Sequence, residues 1–393
     1  MEFNHSQKQL DIHIDFKRGS KFPSKESGKT VYPVYSTKIK TWRHLNLFEY
    51  ACYLHCRVPR ISLGEGKTQV IDPPFAGKSN GFTLLFEAFL LQLIKGMVVS
   101  HVGSITHELS HKLWKMLDKY IKAVRELSDF SEVKYIGTDE TAKSRGHNYI
   151  TIFIDLEEST VLFITGGKDS ETIRKFVEDF TKHNGKVENV IRVNIDMSPA
   201  FIKGVAAYLP QAKITFDRFH VTKLINEAVD EVRRLEAKLF PILKDSRYAV
   251  LKNAENLTQT QREKLEALRL SKLNLKTLRA MHIRENFQAI YAAETKEEFE
   301  ILLKKWYSWA RHSRIPEMKK VAGTIMDHWD GILSWYDSRL STGPLEGINS
   351  VAQAAKAKAR GYRTFKNFSN VIYLLKGKLK FSAVNKYYLH ELT

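Results

Sequence analysis

The chain of 393 residues, 43% of them hydrophobic, is long enough to bury a sizeable core and to form two or three domains, and this composition excludes a disordered or fibrous protein. Its 62 Lys and Arg residues against 44 Asp and Glu residues give a formal net charge of +18, which favours a polyanionic partner, most often nucleic acid and less often an anionic membrane. Cys52 and Cys56 are the only cysteines, which excludes a disulfide framework and favours a reducing compartment.

The N-terminal 75 residues read as strands and loops, with Gly and Pro punctuating segments such as RISLGEGKTQVIDPP. The first twenty residues carry charges where a signal peptide needs an apolar core. The longest apolar run, GFTLLFEAFLLQLIKGMVV, is interrupted by Glu87, Gln92 and Lys95, so it predicts an amphipathic helix rather than a membrane span. We therefore expect a cytoplasmic protein without a membrane partner.

Residues 80–128 predict three helices, because apolar residues recur at the helical period in FTLLFEAFLLQLIKGM and, after short breaks, in MVVSHVGSITHELSHKLWKMLDKYIKAV. A short middle helix followed by a longer one fits a helix-turn-helix, whose last helix would carry His111, Lys112 and Lys115 to DNA. A small helical bundle that links two domains would give the same pattern.

From Lys134 the pattern changes to short strands and helices in the order βββαβαβ. The strands are KYIGTD, NYITIFIDL, TVLFITGG, VENVIRVNID and AKITFDRF, and the helices are SETIRKFVEDFTKHN and SPAFIKGVAAYLP. This order predicts a mixed sheet flanked by helices. The strand ends then carry Asp139, Asp196 and Asp217.

The remainder of the chain is mostly helical. Residues 233–338 are charged and have helical periodicity, and they predict an all-helical domain. The segment that follows opens a new helix at Gly343-Pro344, with Pro at the first helical position and Glu346 in the first turn.

The helix that begins at Gly343 carries a polar face and then a row of cations. Asn349 stands three residues after Glu346 and therefore shares its face. The cations Lys356, Lys358, Arg360 and Arg363 could follow the phosphates of DNA, or could form an ordinary solvated helix face.

Asp139, Asp196 and Glu346 have the chemistry of a two-metal site, because hard divalent cations prefer carboxylate oxygens and keep positions open for phosphate. Each acid also has an ordinary structural explanation. Asp139 suits a turn, Asp196 suits the cap of the helix that starts at Ser198-Pro199, and Glu346 suits the dipole at a helix N-terminus. Spacing alone leaves both interpretations open.

Four motifs stand in order along the chain: GTDETAKSRGHNYITIFID, VNIDMSPAF, TFDRFHVTKLIN and STGPLEGINS. Together they resemble the ISL3 family of insertion-sequence transposases, which belong to the DDE superfamily. The segment TWRHLNLFEYACYLHCRVPRIS resembles the N-terminal region of that family, so the resemblance covers nearly all of the chain. It implies a DNA transposase that binds terminal inverted repeats, hydrolyses phosphodiester bonds with two Mg²⁺ or Mn²⁺ ions and transfers the freed strand to target DNA.

The resemblance also implies roles for individual residues. Asp139 and Asp196 would be the first two catalytic, metal-binding acids and Glu346 the third. Asp217 and His220 match a D-x-x-H signature and, with Asn349, would be accessory residues; a helix cap and a hydrogen-bonded core histidine are the alternatives. The loop cations Lys143, Arg145 and His147 would lie along a phosphate backbone.

The implied fold is α/β, a ribonuclease-H-like mixed sheet with flanking helices, interrupted by an all-helical insertion and preceded by a degenerate zinc-ribbon-like region and a helix-turn-helix. The corresponding bounds are 1–78 for the ribbon-like region, 79–130 for the helix-turn-helix, 131–232 for the first part of the catalytic core, 233–338 for the insertion and 339–393 for the final helices of the core. The implied partners are double-stranded DNA and further copies of the chain, in a dimer or a higher oligomer. The implied location is the bacterial cytoplasm, with nucleoid association on DNA.

The N-terminal region departs from the family pattern of paired cysteines in a zinc ribbon. Cys52 and Cys56 have no second pair, since Tyr32-Pro33-Val34-Tyr35 and Ser62-Leu63-Gly64-Glu65-Gly66 stand where other cysteines would be expected. We therefore expect no zinc. Two other functions stay open from the sequence: a transposase-derived DNA-binding regulator without catalytic activity, and a metal-dependent DNA nuclease.

Overall fold

The computed structural model describes residues 1–25, 30–79, 81–144, 148–271, 273–338 and 343–388, with the backbone alone described at 143, 144, 148 and 338. By the contacts between residues, the chain divides into two compact units. Unit 1 consists of Met1–Ser128 together with the residues from Val351 on, and unit 2 consists of Asp129–Ser350. No helix in the described part of the chain is long and apolar enough to cross a membrane.

Unit 1 begins with a sheet built from β1 (Glu2–Asn4), β2 (Gln9–Ile14), β3 (Lys21–Pro23), β4 (Val31–Arg43), β5 (Ala51–Gly64) and β6 (Lys67–Val70). The strand order is β1-β2-β5-β4-β3, and β6 pairs with β5. Alternate residues of β5 are buried, as a strand with one covered face requires. Both cysteines lie on this buried face and are free: Cys52 packs with Leu10 and Leu54, and Cys56 packs with Trp42 and Val58.

The helices that follow are α1 (Leu84–Gly96), α2 (Val99–Thr106) and α3 (Ser110–Arg125), so the three helices predicted for residues 80–128 are present. Thr83 caps α1 by accepting the N–H of Phe86. The Glu87 carboxylate is fully buried but satisfied, since it accepts the Tyr120 hydroxyl at 2.7 Å and the backbone N–H groups of Lys78 and Ser79, both at 2.8 Å. This carboxylate therefore ties α1 to α3.

Unit 2 contains a mixed sheet of β7 (Tyr135–Ser144), β8 (Asn148–Asp155), β9 (Thr160–Gly166), β10 (Arg192–Ile195) and β11 (Lys213–Phe216). Helix α4 (Ser170–Lys182) connects β9 to β10, and α5 (Pro199–Tyr208) connects β10 to β11. The strand order is β11-β10-β7-β8-β9, with β8 antiparallel to both neighbours and β10 parallel to both β7 and β11. The predicted order βββαβαβ and the mixed sheet are confirmed.

The next block of unit 2 is helical throughout its described residues. Its helices are α6 (Arg218–Glu236), α7 (Arg247–Leu251), α8 (Gln259–Leu270), α9 (Lys276–Ile290), α10 (Lys296–His312), α11 (Pro316–Asp327) and α12 (Trp329–Ser338). These helices share one continuous apolar core with the sheet. The Arg192 guanidinium of β10 donates to the Ser334 carbonyl at 2.9 Å and to the Ser334 hydroxyl at 2.6 Å, and the same hydroxyl shares a hydrogen bond with the Thr215 hydroxyl of β11 at 2.9 Å. These bonds hold α12 over β10 and β11.

The last helices are α13 (Gly343–Lys358) and α14 (Phe365–Lys376). Residues from Val351 on group with residues 1–128, whereas the sequence-based bounds assign 339–393 to the catalytic core. One contact explains part of this grouping: the Asn385 side-chain amide donates to the Leu84 carbonyl and to the Tyr120 hydroxyl, both at 2.8 Å. The domain bounds themselves remain a prediction.

The packing of α12 on β11 generates a stability prediction. A Cβ atom at Gly331 would overlap the Phe216 ring, whereas a Cβ atom at Gly323 in α11 would meet no other atom within 4 Å. We expect Gly331→Ala to lower the free energy of unfolding by about 1–3 kcal/mol through overpacking. The matched change Gly323→Ala should raise it by roughly 0.5–1 kcal/mol, because Gly weakens a helix interior. Urea unfolding followed by circular dichroism measures both, and equal effects would contradict the packing of α12.

Candidate active site

Parallel strand pairing brings the aspartates together. The last residue pair between β7 and β10 is Gly137 with Asn194, and Asp139 and Asp196 each follow two residues later. The two acids therefore continue the same register and the same face of their strands. In the same way, Asp217 directly follows the last pair between β10 and β11, as Asp196 does on the neighbouring strand.

The position of Asp139 differs from the expectation in one respect. Strand β7 continues to Ser144, and Asp139 pairs with Ile152 of β8 in the middle of the hairpin. The expectation that Asp139 ends its strand is therefore wrong. The reason is that β8 extends the pairing on one side of β7 after β10 has ended on the other side. Asp139 is thus held by a strand on one side and opens toward Asp196 on the other.

Local hydrogen bonds hold the other two aspartates. One carboxylate oxygen of Asp196 accepts the Ser198 N–H at 2.9 Å, immediately before α5. Asp217 caps α6, with its side chain accepting the Phe219 N–H at 2.9 Å. The ordinary capping roles considered from the sequence are thus present, and they orient the carboxylates at the edge of the sheet.

Two helices meet the Asp139 carboxylate. The Asn349 side-chain amide of α13 donates to Oδ2 of Asp139 at 2.6 Å. The ring of His220, in the first turn of α6, approaches Oδ1 with its Nε2 at 3.8 Å, and the Glu140 N–H donates to the same oxygen at 2.8 Å. The accessory residues Asp217, His220 and Asn349 therefore lie around Asp139 and Asp196.

The electrostatics of the cluster disfavour charge on Asp139. Burial raises the pKa of the Asp139 carboxyl above its ordinary value, and the negative charges of Asp196 and Asp217 raise it further. The His220 ring and the Glu140 N–H oppose that rise without cancelling it. Without a cation, the folded protein therefore holds like charges close together at this edge of the sheet.

Sequence reasoning missed two charged residues of this cluster. Burial, followed by the charge of Asp196, raises the pKa of the Glu140 carboxyl, while Lys168 lowers it. Glu140 stands next to Asp139 in the motif GTDETAK, so its position was visible. Lys168 follows the Gly pair after β9, and no spacing rule marked it because only the folded sheet brings that loop to the acids.

Glu346 stands apart from these contacts. It lies in the first turn of α13, one turn before Asn349, and its side chain is exposed. In the described part of the chain the Glu346 side chain has no hydrogen bond or ion pair, and no three His, Cys, Asp or Glu side chains converge as a metal-binding group. The structure thus brings Asp139, Asp196, Asp217, His220 and Asn349 together, whereas Glu346 is on the adjoining helical turn.

The donor set is nevertheless suited to a hard divalent cation. Asp139 and Asp196 offer carboxylate oxygens, which Mg²⁺ and Mn²⁺ prefer. Oδ1 of Asn349 is buried and has no hydrogen-bond partner among the described residues, although its amide group lies against Asp139. A buried oxygen without a donor is costly in the metal-free protein and would be satisfied by a cation. The residues present therefore fit Mg²⁺ or Mn²⁺.

Most of the predicted DNA-binding cations lie in unit 1. On α3, His111, Lys112 and Lys115 are exposed, and Lys112 pairs with Glu108 at 3.3 Å. Near the end of α13, the Lys358 ammonium donates to the Gly96 carbonyl. Lys356 is half-buried, and Arg360 and Arg363 are exposed. Arg145 and His147 lie outside the described residues, as does the side chain of Lys143.

Known proteins resemble this chain over most of its length. The model of the DDE_Tnp_ISL3 family, described as transposase, matches residues 136–372, a stretch that includes Asp139, Asp196, Asp217 and Glu346. The chain is 29% identical over 348 residues to the transposase for insertion sequence element IS1001 of Bordetella parapertussis, which covers 86% of this chain and 84% of that protein. It is 24% identical over 359 residues to the transposase for insertion sequence element IS1557 of Mycobacterium tuberculosis, with 83% and 79% covered.

The crowded acids generate a prediction about stability. Since the pKa of Asp139 is raised in the fold, the folded protein binds this proton more tightly than the unfolded chain, and the resulting stability is lost as the pH rises through the folded pKa. Asp139→Asn removes the buried charge, so in chelator its melting temperature should exceed that of the wild type at about pH 8 and match it near pH 4. If the substitution raises the free energy of unfolding by about 1 kcal/mol, the melting temperature should rise by roughly 2–4 °C.

Asp245→Asn is the matched control, because Asp245 is exposed in unit 2 and its left-handed backbone, with φ 58°, suits Asn as well as Asp. Its melting temperature should follow the wild type at each pH. Differential scanning calorimetry in chelator is the measurement. A lower melting temperature for Asp139→Asn at the higher pH would contradict the account of charge repulsion.

Proposed function

Because the chain belongs to the ISL3 family of insertion-sequence transposases, we propose that it binds the terminal inverted repeats of an insertion sequence, hydrolyses phosphodiester bonds at its ends and joins the freed 3′ ends to target DNA. The observation that carries the proposal is the cluster on Asp139, where Asp196 adjoins on the next strand and Asn349 of α13 donates to Oδ2 at 2.6 Å. The working form would be a dimer or a higher oligomer on DNA in the bacterial cytoplasm.

The architecture of unit 2 supports a ribonuclease-H-like catalytic core. Its sheet has an antiparallel second strand and parallel first, fourth and fifth strands, and the acids lie where the parallel pairing ends. Ligand sites in open α/β sheets form outside the carboxyl ends of parallel strands. The helical block from α6 to α12 would be the insertion that separates Asp196 from Glu346 in sequence.

In the proposed site, Asp139, Asp196 and Glu346 hold two divalent cations. Bound cations of this kind activate a water or a 3′-hydroxyl and stabilise the leaving oxygen. The chain itself positions the acids: β7 and β10 fix Asp139 and Asp196, and the Asn349 amide and the His220 ring orient the Asp139 carboxylate. No Tyr or Ser nucleophile is needed, because positioning and charge stabilisation supply the catalysis.

The proposal gives α13 a specific task. Asn349 is three residues after Glu346, so the bond from Asn349 to Asp139 holds the helix turn that bears Glu346 beside the acidic edge. In the metal-free protein the exposed Glu346 carboxylate avoids the other acids, as like charges do. Cation binding would remove that repulsion and allow Glu346 to join the other two acids.

Unit 1 would supply DNA binding. Helix α3 and the end of α13 carry exposed cations, which suits contact with phosphates. In the N-terminal sheet both cysteines pack among apolar side chains, so this region can be stabilised by a hydrophobic cluster in place of zinc. Recognition of the terminal repeats is assigned to residues 1–130, through α3 as the recognition helix.

The central prediction concerns catalysis on DNA that carries the terminal repeats of the element. Asp139→Asn, Asp196→Asn and Glu346→Gln should each lower Mg²⁺-dependent cleavage by orders of magnitude and leave DNA binding intact, because each removes a ligand charge while keeping the side-chain shape. Double variants should lose little more cleavage activity than single variants, since the three acids act as a unit. Gel assays of cleavage, with binding measured in parallel, provide the test.

Glu297→Gln is the matched control for Glu346→Gln, because Glu297 is an exposed acid in the first turn of α10. It should cut at the wild-type rate. If Glu346→Gln also cuts at that rate, Glu346 is not the third ligand and Glu140 becomes the next acid to replace. A wild-type protein that cuts but never joins pre-cleaved ends would be a nuclease, and one that binds without cutting would be a regulator.

A further prediction concerns the cations at the end of α13 and in the turn directly after it. Replacing Lys356, Lys358 and Arg360 together by Gln should weaken binding to all DNA sequences alike and reduce the log–log salt slope by roughly one unit per lost phosphate contact. Replacing Lys319 and Lys320, which are exposed on α11, serves as the comparison for a general loss of charge. Fluorescence anisotropy over a salt series measures the slope, and an unchanged slope in the triple variant would exclude α13 from the DNA path.

A further inference from the structure

Unit 1 contains a cavity that the catalytic proposal does not use. It has a volume of about 760 Å³ and lies between the ends of α1 and α3 on one side and α13 and α14 on the other. Ligand pockets generally occupy about 300–1,000 Å³, so the space is adequate for one nucleotide. Small side chains make this room, since α13 contributes Ala354 and Ala355 to the wall and Ala359 follows directly after the helix.

Aromatic rings form part of the wall. Two consecutive left-handed residues, Arg360 with φ 53° and Gly361 with φ 97°, end α13 and turn the chain so that Tyr362 reaches the cavity. Tyr362 stacks on Phe368 at 5.1 Å and meets Trp114 of α3 edge-on at 6.2 Å. Trp114 and Tyr362 are half-buried, so each ring is supported on one side and retains exposed surface.

The remaining wall is mixed. Much of it is apolar, at Ile94, Met97, Val98, Val99, Val351, Val371 and Leu375, and the rest is polar or basic. Lys95, Lys358 and Arg363 contribute cations, His111 contributes an imidazole ring, and no carboxylate occurs among the described residues that line the cavity. Ser110 and Thr364 bring hydroxyl groups. Aromatic faces, hydrogen-bonding groups and cations are the components with which proteins hold single-stranded nucleotides: rings stack on the base, polar groups meet its edge and cations meet the phosphate.

We infer that this cavity takes one unstacked nucleotide of bound DNA, with the base against Trp114 and Tyr362 and the phosphate beside Arg363. The inference rests on the proposed function only in that the DNA is the transposase substrate. The chemistry favours a nucleotide over an apolar helix of a protein partner. A partner helix would need acids to match the basic rim, whereas every nucleotide brings both an aromatic face and a negative charge.

The site reads no particular base, since stacking is available to all four. It would hold a base that DNA distortion or end opening has released from the duplex, which lowers the cost of unstacking. Helix α3 and the turn after α13 would then contact the same DNA segment, because His111 and Arg363 line one cavity.

The test uses two short duplexes that differ at one position. One contains a single unpaired 2-aminopurine, and the other contains the same 2-aminopurine in a base pair. The wild type in chelator should bind the unpaired probe on the order of tenfold more tightly and quench its fluorescence, as stacking on an aromatic ring does. Binding is followed by titration, and no cleavage is required, so failure of the catalytic proposal would leave this result interpretable.

A cavity-filling variant tests the role of the cavity while the aromatic and basic side chains of its wall stay in place. Ala354→Trp enters the cavity from an exposed position on α13 and should abolish the preference for the unpaired probe while the affinity for the paired duplex stays unchanged. Ala357→Trp is the matched control on the same helix, since Ala357 is exposed and does not line the cavity. Ala357→Trp should keep the preference for the unpaired probe. Trp114→Ala should lose both the preference and the quenching.

Three results would overturn the inference. Equal affinity of the wild type for the two probes would show that no unpaired base is held. Equal behaviour of Ala354→Trp and Ala357→Trp would place the base elsewhere on the protein. If Ala354→Trp keeps the preference and instead changes the oligomeric state measured by light scattering without DNA, the cavity is a docking groove for a second copy of the chain. Normal DNA cleavage beside any of these results would leave the catalytic proposal intact.

Discussion

The mutual repulsion of carboxylates, at the place where three parallel strands of a mixed sheet stop pairing, is the main constraint on unit 2. Parallel pairing of β7, β10 and β11 carries Asp139, Asp196 and Asp217 to the same level, and burial together with these neighbours raises the pKa of Asp139. Without a bound cation, such a cluster does not stabilise the fold. The large apolar core shared by the sheet and the helices offsets its cost in folding free energy. The buried Oδ1 of Asn349, which has no hydrogen-bond partner among the described residues, is a second unfavourable group beside Asp139 that a cation would satisfy.

Much of the sheet could be predicted, because local sequence patterns specify its strands. Short strand-like segments predicted the five strands, and the helix start expected at Ser198-Pro199 agrees with the start of α5. Strand β7 was predicted too short, since Glu140 and Ala142 look polar and small but pair across the hairpin with Thr151 and Tyr149. The grouping of residues from Val351 on with the N-terminal unit also escaped prediction, because it depends on distant contacts such as that of Asn385 with Leu84.

Family membership, predicted from four motifs, is confirmed by the family model over residues 136–372. The motifs mark the acids, but they do not show how the neighbours act on them. Glu140 and Lys168 alter the electrostatics of the cluster and were recognised only in the fold, since their effect depends on distance rather than on spacing in sequence. Cys52 and Cys56 were not expected to bind zinc because they lack a second pair, but the sequence did not show that they pack among apolar side chains on the buried face of β5.

The central claim is that Asp139, Asp196 and Glu346 hold the same pair of cations. Anomalous X-ray scattering from crystals grown with Mn²⁺ tests it most directly, because it locates each ion independently of activity. The account predicts manganese bound to carboxylate oxygens of Asp139 and Asp196 at roughly 2.0–2.2 Å, with Glu346 turned inward to complete the site. Manganese bound without Asp139, or with Glu346 still in solvent when both ions and DNA are present, would contradict it.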